Sequence, residues 1–169
     1  MDATHLHLVL THFPIIGTII GIEILTYGYI FKNLEIKKIS LIIFILMGLL
    51  TIPVFLSGEE AGETVEKIAG ISEQLIEEHE ELAEKVIWLM GLLGIISLLS
   101  LFAIFKKSSF AKVMTLVALI VSIVTFGLFA QVGNLGGQIR HSEIRTISNA
   151  NQGEGVNYQN DEKQDHDEY

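Results

Sequence analysis

Histidines are the residues of this sequence whose chemistry is easiest to recognise. The chain of 169 residues contains six histidines and no cysteine, which excludes disulfides, thiolate metal sites and cysteine nucleophiles. A neutral imidazole nitrogen is a common ligand for metal ions and for haem iron. One histidine, His166, lies in a polar C-terminal tail. The other five candidate ligands are His5, His7, His12, His79 and His141.

Helical spacing places two of these histidines on one face of a first helix. His5 and His12 are seven residues apart, and Glu23 follows eleven residues after His12, so the three share a face. An ionisable group inside an apolar segment is costly and indicates a functional site. We therefore interpret Glu23 as a buried acid, with a protonated carboxyl bonded to a neighbouring helix as the structural alternative.

In two further helices, the spacing of apolar and polar residues predicts which face carries the histidine. His79 repeats with Leu82 and Val86 at apolar helical spacing, which predicts that its side chain points inward. The solvated side of the same helix carries Glu77, Glu80, Glu81 and Glu84. In the last helix, one polar stripe contains Gln131, Asn134, Gln138 and His141. His12, His79 and His141 are thus predicted to face a common interior, where they could bind a cofactor.

The same residues also have simpler interpretations. A single histidine at a membrane surface often only bonds to a neighbour or to water, and the amides of the stripe could be hydrogen-bonding contacts between helices. A second kind of site is also open, because His5 and His7 could bind copper or zinc together with Glu59 or Glu60.

Four long apolar runs must position these histidines. Half of the residues are hydrophobic, the mean hydropathy is +0.49, and 18% are charged, against about 25% in soluble domains. The runs cover roughly 8–31, 39–56, 86–105 and 110–132, each long enough to cross a hydrocarbon core of about 30 Å as a helix. The sequence therefore predicts an all-α fold, an integral membrane four-helix up-down bundle embedded in a lipid bilayer.

The lysines predict the orientation of these runs in the membrane. Lys32, Lys37 and Lys38 follow the first run, and Lys106, Lys107 and Lys112 follow the third. The positive-inside rule places both short connections in the cytoplasm. Both termini are then expected outside the cell (inner) membrane, in the periplasm, together with the five histidines. The formal net charge of −9 argues against a nucleic-acid partner.

The long connection 57–85 is predicted to be helical and to lie on the outer side. Pro53 should kink or end the second span, and Ser57-Gly58 reads as a turn before a short helix over Glu60–Ala69. A new helix is expected from Ser72 to about Lys106. The transmembrane domain would then cover 1–147, and the polar tail 148–169 is expected to be disordered.

Several short motifs resemble one family. They are the stretch from His7 to Pro14 (HLVLTHFP), Ser57-Gly58-Glu59, His79-Glu80, and the stretch from Gly136 to His141 (GGQIRH). Together, over about residues 3–147, they resemble small four-helix predicted membrane proteins of bacteria that have an N-terminal His followed by His-Phe-Pro. That resemblance implies a fold of four membrane helices and haem b held between them, with ligands at His12, His79 and His141 and no particular pairing.

Three functions remain open from the sequence. The first is electron transfer or redox sensing by haem b, or by another metal, at the outer end of the bundle. The second is copper or zinc handling. The third is a non-catalytic membrane subunit whose acidic outer helix and tail dock a redox partner or a basic protein. A stand-alone enzyme is not expected, because the chain has no Gly-x-Ser-x-Gly and no His-Glu-x-x-His.

Overall fold

Four helices make up the described part of the chain. The computed structural model describes residues 3–66 and 73–140, with side chains for 5–62 and 73–139. The helices are α1 (Ala3–Ile30), α2 (Leu34–Glu66), α3 (Glu73–Phe105) and α4 (Ala111–Arg140), and these residues contain no strand. Each helix is long and apolar enough to cross a membrane. The predicted all-α class with four candidate spans is therefore confirmed.

The helices pack as a bundle around a small apolar core. α1 packs mainly on α2, α2 also on α3, and α3 on α4, with a smaller contact between α1 and α4. The fully buried apolar side chains are Leu25, Leu41, Phe44, Met90, Leu93 and Ala118. Glycines allow the closest approach, since a Cβ on Gly48 would lie 3.2 Å from the Met90 carbonyl oxygen. Most large apolar side chains outside this core are exposed, as expected for a bundle surrounded by lipid.

One face of α1 is packed and the opposite face is exposed. A Cβ on Gly21 would overlap the Phe44 ring, and one on Gly17 would overlap the Met47 side chain. The Ser40 hydroxyl donates a hydrogen bond of 2.7 Å to the Gly21 carbonyl. The exposed face carries His5, Val9, His12, Ile16, Ile20, Glu23 and Tyr27. Small residues therefore mark the side of α1 that contacts α2.

The second helix is longer than the sequence predicts. α2 continues through Pro53 to Glu66, so the predicted turn at Ser57-Gly58 and the separate helix that follows it are wrong. Proline removes one backbone hydrogen bond, but the helix continues past it, and His7 of α1 contacts Val54 and Ser57 in the next turn. Ser57 is buried, and the His7 ring packs against Gly58.

The third helix agrees with its prediction. Expected from Ser72 to about Lys106, it runs over Glu73–Phe105, 33 residues or about 50 Å. The apolar part from Val86 onward is long enough to cross the hydrocarbon core, and more than three turns of α3 precede it. Residues 67–72 and 141–169 lie outside the described residues, and so do the predicted cap at Ser72, His141 and the tail.

Candidate functional site

His7 points from α1 toward α2. Its Nδ1 lies 3.1 Å from the Val54 carbonyl oxygen and 3.2 Å from the Ser57 hydroxyl. Because a carbonyl only accepts, Nδ1 carries the hydrogen and donates it, which leaves the lone pair on Nε2. A histidine whose second nitrogen bonds to a carbonyl in this way is the usual arrangement of a metal-ligating imidazole. His7 is therefore held in the form that can ligate through Nε2.

His79 points from α3 toward α4 and is mostly buried. A Cβ on Gly136 would lie 3.3 Å from the His79 Cε1 atom, so glycine leaves room for the ring. The His79 Nδ1 is buried and has no hydrogen-bond partner among the described residues. An unpaired buried nitrogen is costly, and a ligand at this nitrogen would remove that cost. The inward orientation predicted for His79 is confirmed.

The two imidazoles interact with each other. His79 lies about two turns before the apolar part of α3, which begins at Val86. Burial lowers the pKa of His79, and the nearby charge of His7 lowers it further, whereas the backbone of Val132 acts in the opposite direction. Burial and the charge of His7 are the larger effects, and both favour the neutral imidazole, which is the form that binds metals. We call this site the His7–His79 pair. Each of the four helices contributes one residue to it: His7, Gly58, His79 and Gly136.

His12 does not join this pair. Its side chain is exposed, and its Nδ1 donates to the Leu8 carbonyl of its own helix. His5 is also exposed. The sequence correctly predicts that His5, His12 and Glu23 share a face, but the inward direction predicted for His12 is wrong, because that face of α1 points away from the bundle.

Glu23 is likewise exposed on the surface of the described chain, so its description as a buried acid is wrong. The inward side of α1 at this depth is taken by Gly21 and Leu25, which pack in the core. No hydrogen bond or ion pair of Glu23 occurs within the described ranges. The structural alternative, a protonated Glu23 bonded to a neighbouring helix, is therefore also not found there.

The residues proposed for copper or zinc do not converge. Glu59 and Glu60 are exposed on α2, whereas His7 is half-buried. In the described part of the chain, no group of three or more His, Asp or Glu side chains could hold a metal ion. His141, the remaining predicted ligand, lies outside the described residues.

A groove of about 370 Å³ lies next to the pair, between α3 and α4. Leu82, one turn after His79, lines it together with Ala130, Gln131, Asn134 and Leu135. Two members of the predicted polar stripe of α4, Gln131 and Asn134, thus line the groove. A third, Gln138, donates a hydrogen bond to Asn134. That bond joins two residues of α4, so it is not the hydrogen-bonding contact between helices that the sequence suggests.

The sequence includes His7 only among the candidates for a copper or zinc site. Three small residues could have indicated its position: Ser57, Gly58 and Gly136 lie beside the two imidazoles. A small residue opposite a histidine leaves space for a ring, but pairing them requires the register of the helices, which spacing along one helix does not give.

Comparison of the chain with family models, with curated proteins and with solved structures finds no match.

Proposed function

We propose that this chain is an inner-membrane protein that binds haem b between His7 and His79, for electron transfer or redox sensing. One observation carries the proposal. Two imidazoles from different helices each lie beside a glycine, the charge of His7 acts on His79, and the buried His79 Nδ1 has no hydrogen-bond partner among the described residues. Haem bound between helices needs one axial nitrogen from each side and apolar packing around the macrocycle.

The number of ligands favours haem over a bare metal ion. Zinc in proteins is held by three or four protein ligands, and no such group occurs among the described residues. Haem iron needs no more than two axial ligands, because the macrocycle occupies the other positions. The residues therefore fit a haem better than copper or zinc. When bound, the haem would supply a one-electron couple.

The chain's own residues would set the environment of that couple. Val54 and Ser57 fix the tautomer of His7, and a firmly held imidazole is a more basic ligand. The groove lined by Leu82 and Leu135 offers apolar surface beside His79. Both histidines would then act as positioned ligands, with no role in proton transfer.

The orientation in the membrane belongs to the same proposal. We infer that the helices alternate up and down, with the lysine-rich short connections in the cytoplasm and both termini in the periplasm. The His7–His79 pair would then lie at the outer surface of the bundle. A cofactor there could exchange electrons with a partner on the outer side.

A visible spectrum tests the haem proposal. The full chain is expressed with ample haem, purified in detergent, and measured as a reduced-minus-oxidised spectrum. We expect an α band in the wild type and in His12→Ala, and at least a tenfold loss of bound haem in His7→Ala and in His79→Ala. The reason is that only the latter two remove a ligand.

His12→Ala is the matched control, since it removes an imidazole from the same helix without touching the pair. Circular dichroism checks that all variants keep their helices. A wild-type protein without any haem band would overturn the proposal, as would folded His7→Ala and His79→Ala proteins that both keep the full band.

A further inference from the structure

Lys37, near the start of α2, is held in one place at the end of the bundle opposite the histidine pair. Its Nζ lies 3.8 Å above the centre of the Tyr29 ring. Its aliphatic stem packs against α1, where a Cβ on Gly28 would lie 2.9 Å from the Lys37 Cγ. The ammonium group is therefore not a freely moving surface charge.

A second lysine from another helix lies near Lys37. The charge of Lys112, in the first turn of α4, is close enough to act on Lys37 and to repel it. The Tyr29 hydroxyl fixes this arrangement, since it donates a hydrogen bond of 3.1 Å to the Lys112 carbonyl. Residues of α1, α2 and α4 thus bring two positive charges together, a group that we call the Lys37–Lys112 site.

The charges around this site increase the repulsion. The first turn of α4, which includes Lys112, contains no acidic residue that could offset the positive end of its helix dipole. The nearby Glu35 carboxylate lies 2.7 Å from Lys38 instead. Among the described residues, neither Lys37 nor Lys112 forms a salt bridge. Without an anion, the folded chain would hold like charges together at a cost.

The position of the site identifies the anion. Lys37 comes two residues before the second apolar run, and Lys112 comes two residues after the fourth begins. In the orientation proposed above, on which this inference rests, both ammonium groups lie at the depth of lipid headgroups, on the side where the leaflet is negatively charged. Basic residues between membrane helices at this depth commonly bind anionic headgroups.

We propose that Lys37 and Lys112 bind the phosphate of an anionic phospholipid headgroup. The phosphate would contact both ammonium groups and the N-terminus of α4, and so convert the repulsion into attraction. Tyr29 and Gly28 act as positioning residues, since they hold Lys37 against α1. This proposal is independent of haem binding.

Lipid retention and stability test the site. The full chain is reconstituted in nanodiscs of phosphatidylcholine, with or without phosphatidylglycerol. Retained lipid is counted by native mass spectrometry, and thermal unfolding is followed by circular dichroism. We expect phosphatidylglycerol to stabilise the wild type, and the Lys37→Gln/Lys112→Gln variant to bind it roughly thirtyfold more weakly, since each of the two lysines contributes about 1 kcal/mol near an anionic surface.

The Lys106→Gln/Lys107→Gln variant is the matched control, because it removes the same charge from the same end without touching the site. Equal loss of lipid in both double variants would overturn the proposal, since it would indicate bulk charge only. Equal stabilisation by inorganic phosphate in phosphatidylcholine nanodiscs would also overturn it, in favour of a free anion. If the double variant does not fold, Lys112→Gln alone is measured and must weaken lipid binding.

Discussion

His7 and His12 differ more than their positions on one helix suggest. Both are in the N-terminal part of α1, and in both the Nδ1 faces a carbonyl oxygen. The acceptor of His7 is Val54 of α2, whereas that of His12 is Leu8 of its own helix. Five residues correspond to a rotation of about 140° around the helix axis, so one ring lies inside the bundle and the other outside. Of these two rings, only the inner one lies where its charge acts on His79.

The two faces of α1 show the same contrast along their length. The inner face carries Gly17 and Gly21, against which Met47 and Phe44 pack. The outer face carries large aliphatic side chains with Glu23 among them. Apolar side chains do not distinguish the two faces, because the inner face contacts apolar side chains of the bundle and the outer face would contact lipid. Close packing of small residues distinguishes them.

The largest effect is expected from a bulky residue on the inner face. In Gly21→Leu the new side chain would overlap the buried Phe44 ring, and overpacking of this kind costs about 1–3 kcal/mol. We expect a clear fall in the thermal unfolding temperature, followed by circular dichroism in detergent. The neighbouring Ile20→Leu, on the exposed face, serves as control and should leave the temperature unchanged. Equal falls in both variants would mean that the faces are not distinguished by packing.

A smaller effect is expected from the group that orients His7. Ser57→Ala removes the hydroxyl that lies 3.2 Å from the His7 Nδ1, while the Val54 carbonyl stays. Loss of such an orienting contact typically weakens metal binding 10-fold to 100-fold, and we expect the lower end of that range. The measurement is a titration of the apoprotein with haem, followed by its absorption band.

Ser100→Ala is the control for this change, because Ser100 is also a buried serine but bonds only to the Ile96 carbonyl of its own helix. It should leave haem affinity unchanged. If Ser57→Ala binds haem as tightly as the wild type, the hydroxyl does not position His7.

The sequence predicts the helices well and the site only in part. The four apolar runs and the beginning of α3 can be read from composition and from the glutamates, which show which side of α3 is solvated. His79 is oriented correctly for that reason. α1 has no such polar face, so periodicity groups His5, His12 and Glu23 without indicating whether they point inward. The His7 ring packs against Ser57 and Gly58 of the continuous α2, and such contacts between residues distant in sequence cannot be read from a local proline or glycine.

The smallest effect is expected from Glu23, the one acid on the exposed face of α1 within its apolar run. A carboxyl that faces lipid is costly, so Glu23→Leu should leave the haem spectrum unchanged and should not lower the free energy of unfolding. Spectra and thermal unfolding of the purified variant measure both, and Glu23→Gln separates the loss of charge from the gain of apolar surface. If both variants are less stable than the wild type, or dissociate from a larger assembly, the outer face of α1 is covered by another helix. The inner face of α1 would then be an interface within the bundle, and the outer face an interface with another helix.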